Sequence, residues 1–153
     1  MIRNRSLSFL ALALFALIFV GGAQAQQLSS KLQNAVGLWQ VVNSAGEPGG
    51  RVETYLVGNR LFGKVVQVRP GRSDRDLCDK CSGEQKNQLI LGMVILRDFH
   101  AEGDDWVDGT ALDPENGKVY KGKIWAVGTD NLHMRGFIGF PLLGRTESWT
   151  RIQ

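Results

Sequence analysis

The two cysteines of the chain stand three positions apart in Cys78-Asp79-Lys80-Cys81, a spacing that suits three kinds of chemistry. The pair can form a local disulfide, act as a redox pair, or supply two of the four ligands of a zinc site. A redox pair is typical of a helix N-terminus in a βαβ setting, which is absent here, and the preceding Asp74 and Asp76 oppose thiolate formation. The residues favour a disulfide that shapes its segment, with redox and metal roles as alternatives.

No other arrangement in the sequence predicts a catalytic residue. The two histidines, His100 and His133, stand apart in turn or strand contexts, without a serine or cysteine beside a carboxylate. Asp113 and Glu115 lie in an Asp-Pro-Glu-Asn-Gly stretch that is typical of a turn and lacks the spacing of a calcium loop. We therefore predict no enzyme activity, no metal site and no cofactor.

An apolar stretch from Phe137 to Gly144 is flanked by Arg135 and Arg145 and lies where a hairpin connection is expected. At a barrel mouth such a loop would form the entrance for an apolar or amphipathic ligand, and an arginine would hold a carboxylate or phosphate head. The alternative is a loop that folds inward and covers the core. The sequence favours the inward arrangement.

Eight short β-rich runs separated by turn signals carry these residues. Strands joined by tight turns are antiparallel, and eight of them with an alternating apolar face close into a barrel without an open edge. We predict an all-β fold, a single eight-stranded antiparallel up-and-down barrel, with an open sandwich as the alternative. The predicted strands are Gly37 to Val42, Arg51 to Val57, Arg60 to Val68, Leu89 to Arg97, Trp106 to Leu112, Lys118 to Val127, Leu132 to Phe137 and Arg145 to Ile152.

Two segments depart from this β pattern. A short helix is expected from Ser29 to Ala35, with Ser29 or Ser30 as its cap. The long stretch from Pro70 to Gln88 is rich in charged residues and contains both cysteines. A loop of that length in a small domain is usually functional, and we predict a mobile flap.

Strand alternation selects residues for the barrel interior. In the run from Lys118 to Val127, Tyr120 and Ile124 share the face that should point inward. The same period puts Met134 and Arg135 on opposite faces, so only one of them can line a cavity. The predicted ligand-binding residues are Tyr120, Ile124, Met134, Arg135, Phe137 and Arg145.

The first and last strands of a closed barrel are neighbours. Trp39 lies near the start of the first predicted strand and Arg151 near the end of the last. We therefore expect the Arg151 guanidinium to lie across the Trp39 indole and close one end of the barrel through a cation–π contact.

The N-terminal segment is typical of a cleavable secretory signal. Arg3 and Arg5 precede an apolar block that ends in small residues, and cleavage is expected between Ala25 and Gln26. The predicted organisation is a signal peptide (1–25), a short helix and linker (26–35) and a barrel domain (36–152). Removing 25 of 153 residues leaves 128, and 16 Lys and Arg against 15 Asp and Glu leave a net charge of +1.

This organisation predicts a periplasmic or secreted protein that is not inserted in the membrane after cleavage. The nearly balanced charge, with no basic stripe, makes nucleic acid an unfavourable partner. A protein partner is not predicted by any single motif.

Six motifs stand in order between about residues 36 and 152: Gly37-Leu38-Trp39, Cys78-Asp79-Lys80-Cys81, Lys86-Asn87-Gln88, Leu91-Gly92-Met93, Asp113-Pro114-Glu115-Asn116-Gly117-Lys118, and Arg135-Gly136-Phe137-Ile138-Gly139 with Gly144-Arg145-Thr146. Together they resemble the exported bacterial family known as domain of unknown function 2147. The resemblance implies a lipocalin-like (calycin) barrel with the Gly-x-Trp signature at its closed end. It implies no established role.

Three functions follow from these observations. The first is a periplasmic lipocalin-like protein that holds a small apolar or amphipathic ligand in the barrel. The second is a cell-envelope interaction module that uses the predicted flap and its cysteine pair as a contact surface. The third is a thiol-disulfide redox protein.

Overall fold

The computed structural model describes residues 28–43 and 45–152, in which eight antiparallel strands form a closed barrel. Each strand pairs with its neighbours in sequence, and the first pairs with the last, which confirms the predicted up-and-down topology. The strands are β1 (Gly37–Val42), β2 (Pro48–Val57), β3 (Arg60–Gln67), β4 (Val94–Glu102), β5 (Asp105–Asp113), β6 (Lys118–Val127), β7 (Asn131–Phe137) and β8 (Arg145–Arg151).

The predicted signal peptide and its cleavage site, Ala25 and Gln26, lie outside the described residues. Within the described ranges, no helix is long and apolar enough to span a membrane. The helix α1 (Ser30–Gln33) is shorter than expected, and the Ser29 hydroxyl caps it by accepting a hydrogen bond from the Leu32 amide.

The prediction for the fourth strand, Leu89 to Arg97, was wrong by five residues at each end. The apolar side chains of Ile90 and Met93 pack in a small cluster of the preceding loop, so β4 begins only at Val94. The second half of β4 is polar. It contains Asp98, whose φ of 61° interrupts the regular pleat, so the sequence shows no alternation of apolar and polar residues there. The loop between β3 and β4, called the flap below, therefore covers residues 68–93.

Aromatic side chains fill the half of the barrel nearest α1. Trp39, Phe99 and Trp106 are fully buried there. The Phe99 ring lies so close to Gly109 and Gly122 that a Cβ added to either would come within 2.6 Å of ring atoms. These two glycines make room for the aromatic core, which explains their place inside strands.

Helix α1 and Arg151 close this end of the barrel. The Trp106 indole donates to the carbonyl of Leu32 (3.1 Å), and the Arg151 guanidinium lies 4.2 Å from the centre of the Trp39 ring. Arg151 also donates to the backbone carbonyls of Asn34 and Val36. The expected contact between Arg151 and Trp39 is therefore present.

Up-and-down topology puts every second loop at the same end. The closed end carries α1 and three tight turns, whereas the other end carries the long connections. We call the second the flap end. Its connections are the β1–β2 connection (described at 43 and 45–47), the flap, the β5–β6 turn (114–117) and the β7–β8 loop (138–144).

Candidate ligand-binding site

A cavity of about 750 Å³ opens at the flap end of the barrel. Its floor is the part of the core nearest the flap end. The floor side chains Val52, Leu96, Ala111 and Trp149 are each nearly or fully buried. Polar and charged side chains surround the entrance. The cavity thus has an apolar floor and an entrance that is polar and charged around much of its edge.

Four of the six predicted ligand-binding residues line this cavity, namely Tyr120, Met134, Phe137 and Arg145. Ile124 points inward as expected, but it is fully buried in the core beneath the cavity. It lies too close to the closed end to meet a ligand. Its predicted lining role is not met in the structure.

Arg135 is also absent from the lining, because Met134 takes the inward position on β7. From the outer side, Arg135 donates to the carbonyl of Pro141 (2.9 Å) and to the hydroxyl of Thr146 (2.9 Å). Its predicted role as a ligand anchor is therefore replaced by a structural one. Arg135 holds the β7–β8 loop in place.

The β7–β8 loop does not fold inward, so that expectation was wrong. A short 3₁₀ turn (Pro141–Leu143) follows β7, and the side chains from Ile138 to Leu143, called the lip below, point largely to solvent. Ile138 and Leu143 also line the cavity entrance. The lip is thus an apolar edge of the opening.

Two ionisable side chains of β8 face the cavity. Among the described residues, the Arg145 side chain has no hydrogen-bond acceptor and no carboxylate within 4.0 Å. Glu147 accepts a hydrogen bond from the Trp149 indole (3.2 Å). Burial raises the pKa of Glu147 above its ordinary value, helped by the nearby Asp113 and opposed by the Trp149 hydrogen bond and the Arg145 charge.

The flap is fastened beside the entrance by ion pairs with Glu115 of the β5–β6 turn. Arg69 and Arg72 both reach its carboxylate, at 3.0 and 2.8 Å. Partial burial raises the pKa of Glu115, but the hydrogen bonds from the two arginines outweigh it and leave the pKa below its ordinary value. The flap is therefore docked rather than free.

The disulfide between Cys78 and Cys81 is present and lies within the flap, on its buried side. Both cysteines are buried, and the Cys78 sulfur lies 3.6 Å from the carbonyl oxygen of Pro114. They form the centre of a second, smaller apolar cluster with Val65, Val68, Ile90 and Met93. Because no sulfur is exposed, neither a contact surface built on the cysteine pair nor easy thiol exchange is favoured.

The histidines lie away from the cavity lining. His133 stacks on Trp125, and its Nδ1 lies 3.0 Å from the Ser148 hydroxyl on the outer surface. His100 is grouped with the exposed Glu102 and Asp108, whose ligand atoms lie within 4.8 Å of one another. Nothing else in the described part of the chain completes a site around either histidine.

Residues 37–151 match the model of a bacterial family described as "Uncharacterized protein conserved in bacteria (DUF2147)". The chain belongs to this family. Among solved structures it is similar to one described as "Protein HP1028 from the human pathogen Helicobacter pylori belongs to the lipocalin family", with a TM-score of 0.68 and 16% identity over 83% of this chain and 85% of that chain. At this identity the likeness shows the fold, a lipocalin-like barrel. No curated protein matches the chain.

In this DUF2147 protein, sequence reasoning missed Glu147 as a cavity residue. The signal was present, since Glu147 and the inward-facing Trp149 are two positions apart on one strand and therefore share a face. The sequence indicated Glu115 first as a turn residue. Its partners on the flap come from more than forty positions away in sequence, which no local pattern reveals.

Proposed function

We propose that this DUF2147 protein binds one small amphipathic molecule with an anionic head group in the cavity at the flap end. The observation that carries the proposal is an unpaired arginine, Arg145, beside a deep apolar floor. The volume of about 750 Å³ lies within the range of small-molecule sites.

The apolar part of the ligand would lie against Val52, Leu96 and Trp149. Those three side chains are nearly fully buried, so the water that a hydrocarbon chain displaces would come mainly from the partly exposed lining residues Val41, Ile95 and Phe137. Met134 on the wall adds a flexible side chain that adapts to chains of different shape.

The head group would be held by Arg145. Arg69 and Arg72 also reach the entrance, but their charges are already matched by Glu115 and Asp76. Arg51 also lines the cavity, but its Nε donates to the side-chain oxygen of Gln40 at 3.4 Å. Among the described lining arginines, Arg145 is thus the one whose guanidinium has no acceptor, and guanidinium groups bind a carboxylate or phosphate through paired hydrogen bonds. Glu147 lies beside it, and burial favours its neutral form, which can donate a hydrogen bond to the same head group.

We place this activity in the periplasm, after removal of residues 1–25 at the predicted Ala25–Gln26 site. The disulfide is compatible with an oxidising compartment. In the cell envelope, fatty acids and single-chain phospholipids combine an apolar chain with an anionic head group, as the proposed ligand does.

Native mass spectrometry of gently purified protein, followed by titration with a fluorescently labelled lauric acid, tests the proposal. We expect one molecule bound per chain, and Arg145→Gln should weaken binding about tenfold through loss of a charge-assisted contact. Arg97→Gln on the outer wall is the matched control and should bind normally. A protein that remains empty and takes up no labelled acid would overturn the proposal.

A further inference from the structure

The lip carries the most exposed large apolar side chains of the described residues. Phe140 is 75% exposed, Leu142 91% and Leu143 79%, and they are close together in sequence on one short turn. A grouped apolar surface of this kind marks an interaction site rather than ordinary surface variation.

We propose that the lip docks this protein on the surface of a lipid bilayer that contains anionic headgroups. The loop would insert Phe140, Leu142 and Leu143 at the boundary between headgroups and acyl chains. This proposal goes beyond ligand binding and does not require an occupied cavity.

Part of the lip backbone is hydrogen-bonded within the protein, which lowers the cost of leaving water. The Leu143 amide donates to the Phe140 carbonyl, and the Gly144 amide donates to the Pro141 carbonyl, each at 3.1 Å. Arg135 adds a second donor to the Pro141 carbonyl, and proline itself has no amide hydrogen. Backbone groups that enter a bilayer must be satisfied internally, and these bonds do so for the Leu143 and Gly144 amides and for the Phe140 and Pro141 carbonyls.

Cations stand on either side of the lip. Lys121 on β6 lies opposite Phe137 in the barrel register, and Arg145 begins β8 directly after the loop. Over residues 28–43 and 45–152, no carboxylate lies within 4.0 Å of either side chain. Unpaired cations beside an inserted apolar loop favour anionic headgroups over zwitterionic ones.

The position of the lip favours a bilayer over a protein partner. Ile138 and Leu143 belong both to the lip and to the cavity entrance. A lip embedded in lipid would bring that entrance to the level of the headgroups. Continuity of an apolar edge with an apolar cavity is what exchange of an amphipathic molecule with a membrane requires.

Vesicle flotation with the ligand-free protein tests this inference. The protein should float with vesicles of phosphatidylglycerol and phosphatidylethanolamine, and more weakly with phosphatidylcholine alone. Combined Phe140→Ser and Leu142→Ser should reduce the partition coefficient at least tenfold, since each fully buried apolar side chain is worth roughly tenfold or more. Lys121→Gln should reduce binding to anionic vesicles only.

The matched control combines Val57→Ser and Val127→Ser, two exposed apolar residues at the closed end. It should float like the unaltered protein. Failure of the unaltered protein to bind any vesicle, or equal flotation of the lip variant and the control, would overturn the inference. Neither result would affect the titration of labelled acid, so the two proposals fail separately.

Discussion

The Arg72 guanidinium donates a 2.8 Å hydrogen bond to the Glu115 carboxylate and so joins the flap to the β5–β6 turn. Arg69 approaches the same carboxylate at 3.0 Å. One side chain therefore receives both arginines of the flap that reach the cavity entrance. The shape of the entrance depends on the ionised state of Glu115.

Replacement of Glu115 by glutamine should loosen the flap without unfolding the barrel. The pair is partly exposed, so we expect a loss of at most about 1 kcal/mol in the free energy of unfolding. Amide hydrogen exchange should accelerate at Cys78, Asn87 and Ile90, whose amides donate within the flap. Asp104→Asn, which removes an exposed ion pair at the closed end, should leave that exchange unchanged.

The same carboxylate predicts acid sensitivity of the flap. Because the pKa of Glu115 is below its ordinary value of 4.5, its stabilising effect is present above that pH and is lost as the pH falls through the lowered pKa. Flap exchange in the unaltered protein should therefore rise below about pH 4.5 relative to Glu115→Gln. Parallel pH profiles for the two proteins would contradict this assignment.

Gly117 should tolerate alanine much less well than Gly58. Both have positive φ, which costs roughly 1 kcal/mol or more for a residue with a Cβ. At Gly58 a Cβ meets nothing within 4 Å, whereas at Gly117 it would collide with the backbone carbonyl of Lys80 in the flap. Urea unfolding should show a free energy of unfolding for Gly117→Ala at least about 1 kcal/mol below that of Gly58→Ala. Equal losses in the two variants would show that the flap does not pack closely against this turn.

Glutamine at position 147 should stabilise the protein at neutral pH. The pKa of Glu147 is raised in the folded protein. Its favourable contribution to the free energy of unfolding is therefore complete below its ordinary pKa and is lost as the pH rises through the raised pKa. Glu147→Gln stays neutral, so its free energy of unfolding should be higher than that of the unaltered protein at pH 7, with little difference near pH 4. Urea unfolding at both pH values checks this, and a destabilised variant at pH 7 would contradict it.

Arg151 should matter for stability and not for the ligand. It covers the Trp39 ring and donates to the backbone carbonyls of Asn34, Val36 and Thr129 at the closed end. Arg151→Gln should cost roughly 2 kcal/mol, since partly buried carbonyls lose charged donors and the Trp39 ring loses its cation. The affinity for labelled lauric acid should remain within about twofold, and a large loss of affinity would mean that the two ends of the barrel are coupled.

Strand order and closure could be predicted from the sequence because alternation and turn residues act locally. Period two alone placed Tyr120 on the inner face and put Met134 and Arg135 on opposite faces, without deciding which of the two points inward. Whether an inward-facing residue meets the cavity also depends on its position along the barrel axis, because aromatic side chains fill the half nearest the closed end. Ile124 was therefore predicted to line the cavity, although it is buried in the core between the cavity and the closed end.

The role of Arg135 could not be predicted for a related reason. Its flanking position suggested a ligand anchor, but its contacts are carbonyls of the loop that it precedes. The course of that loop depends on tertiary contacts. The start of β4 was missed because apolar flap residues such as Ile90 look like strand residues when their packing partners are unknown.

Calorimetric titration of lauric acid into the unaltered protein and into Gly136→Leu tests the cavity proposal most directly. Gly136 lines the cavity, and a Cβ there would make only ordinary contact with Tyr120 at 3.5 Å, so the added side chain should extend into the open space without unfolding the barrel. We predict one-to-one binding by the unaltered protein and loss of that binding in the variant. Equal binding by both proteins would show that the ligand lies outside the barrel. Absence of binding to the unaltered protein would contradict the proposal outright.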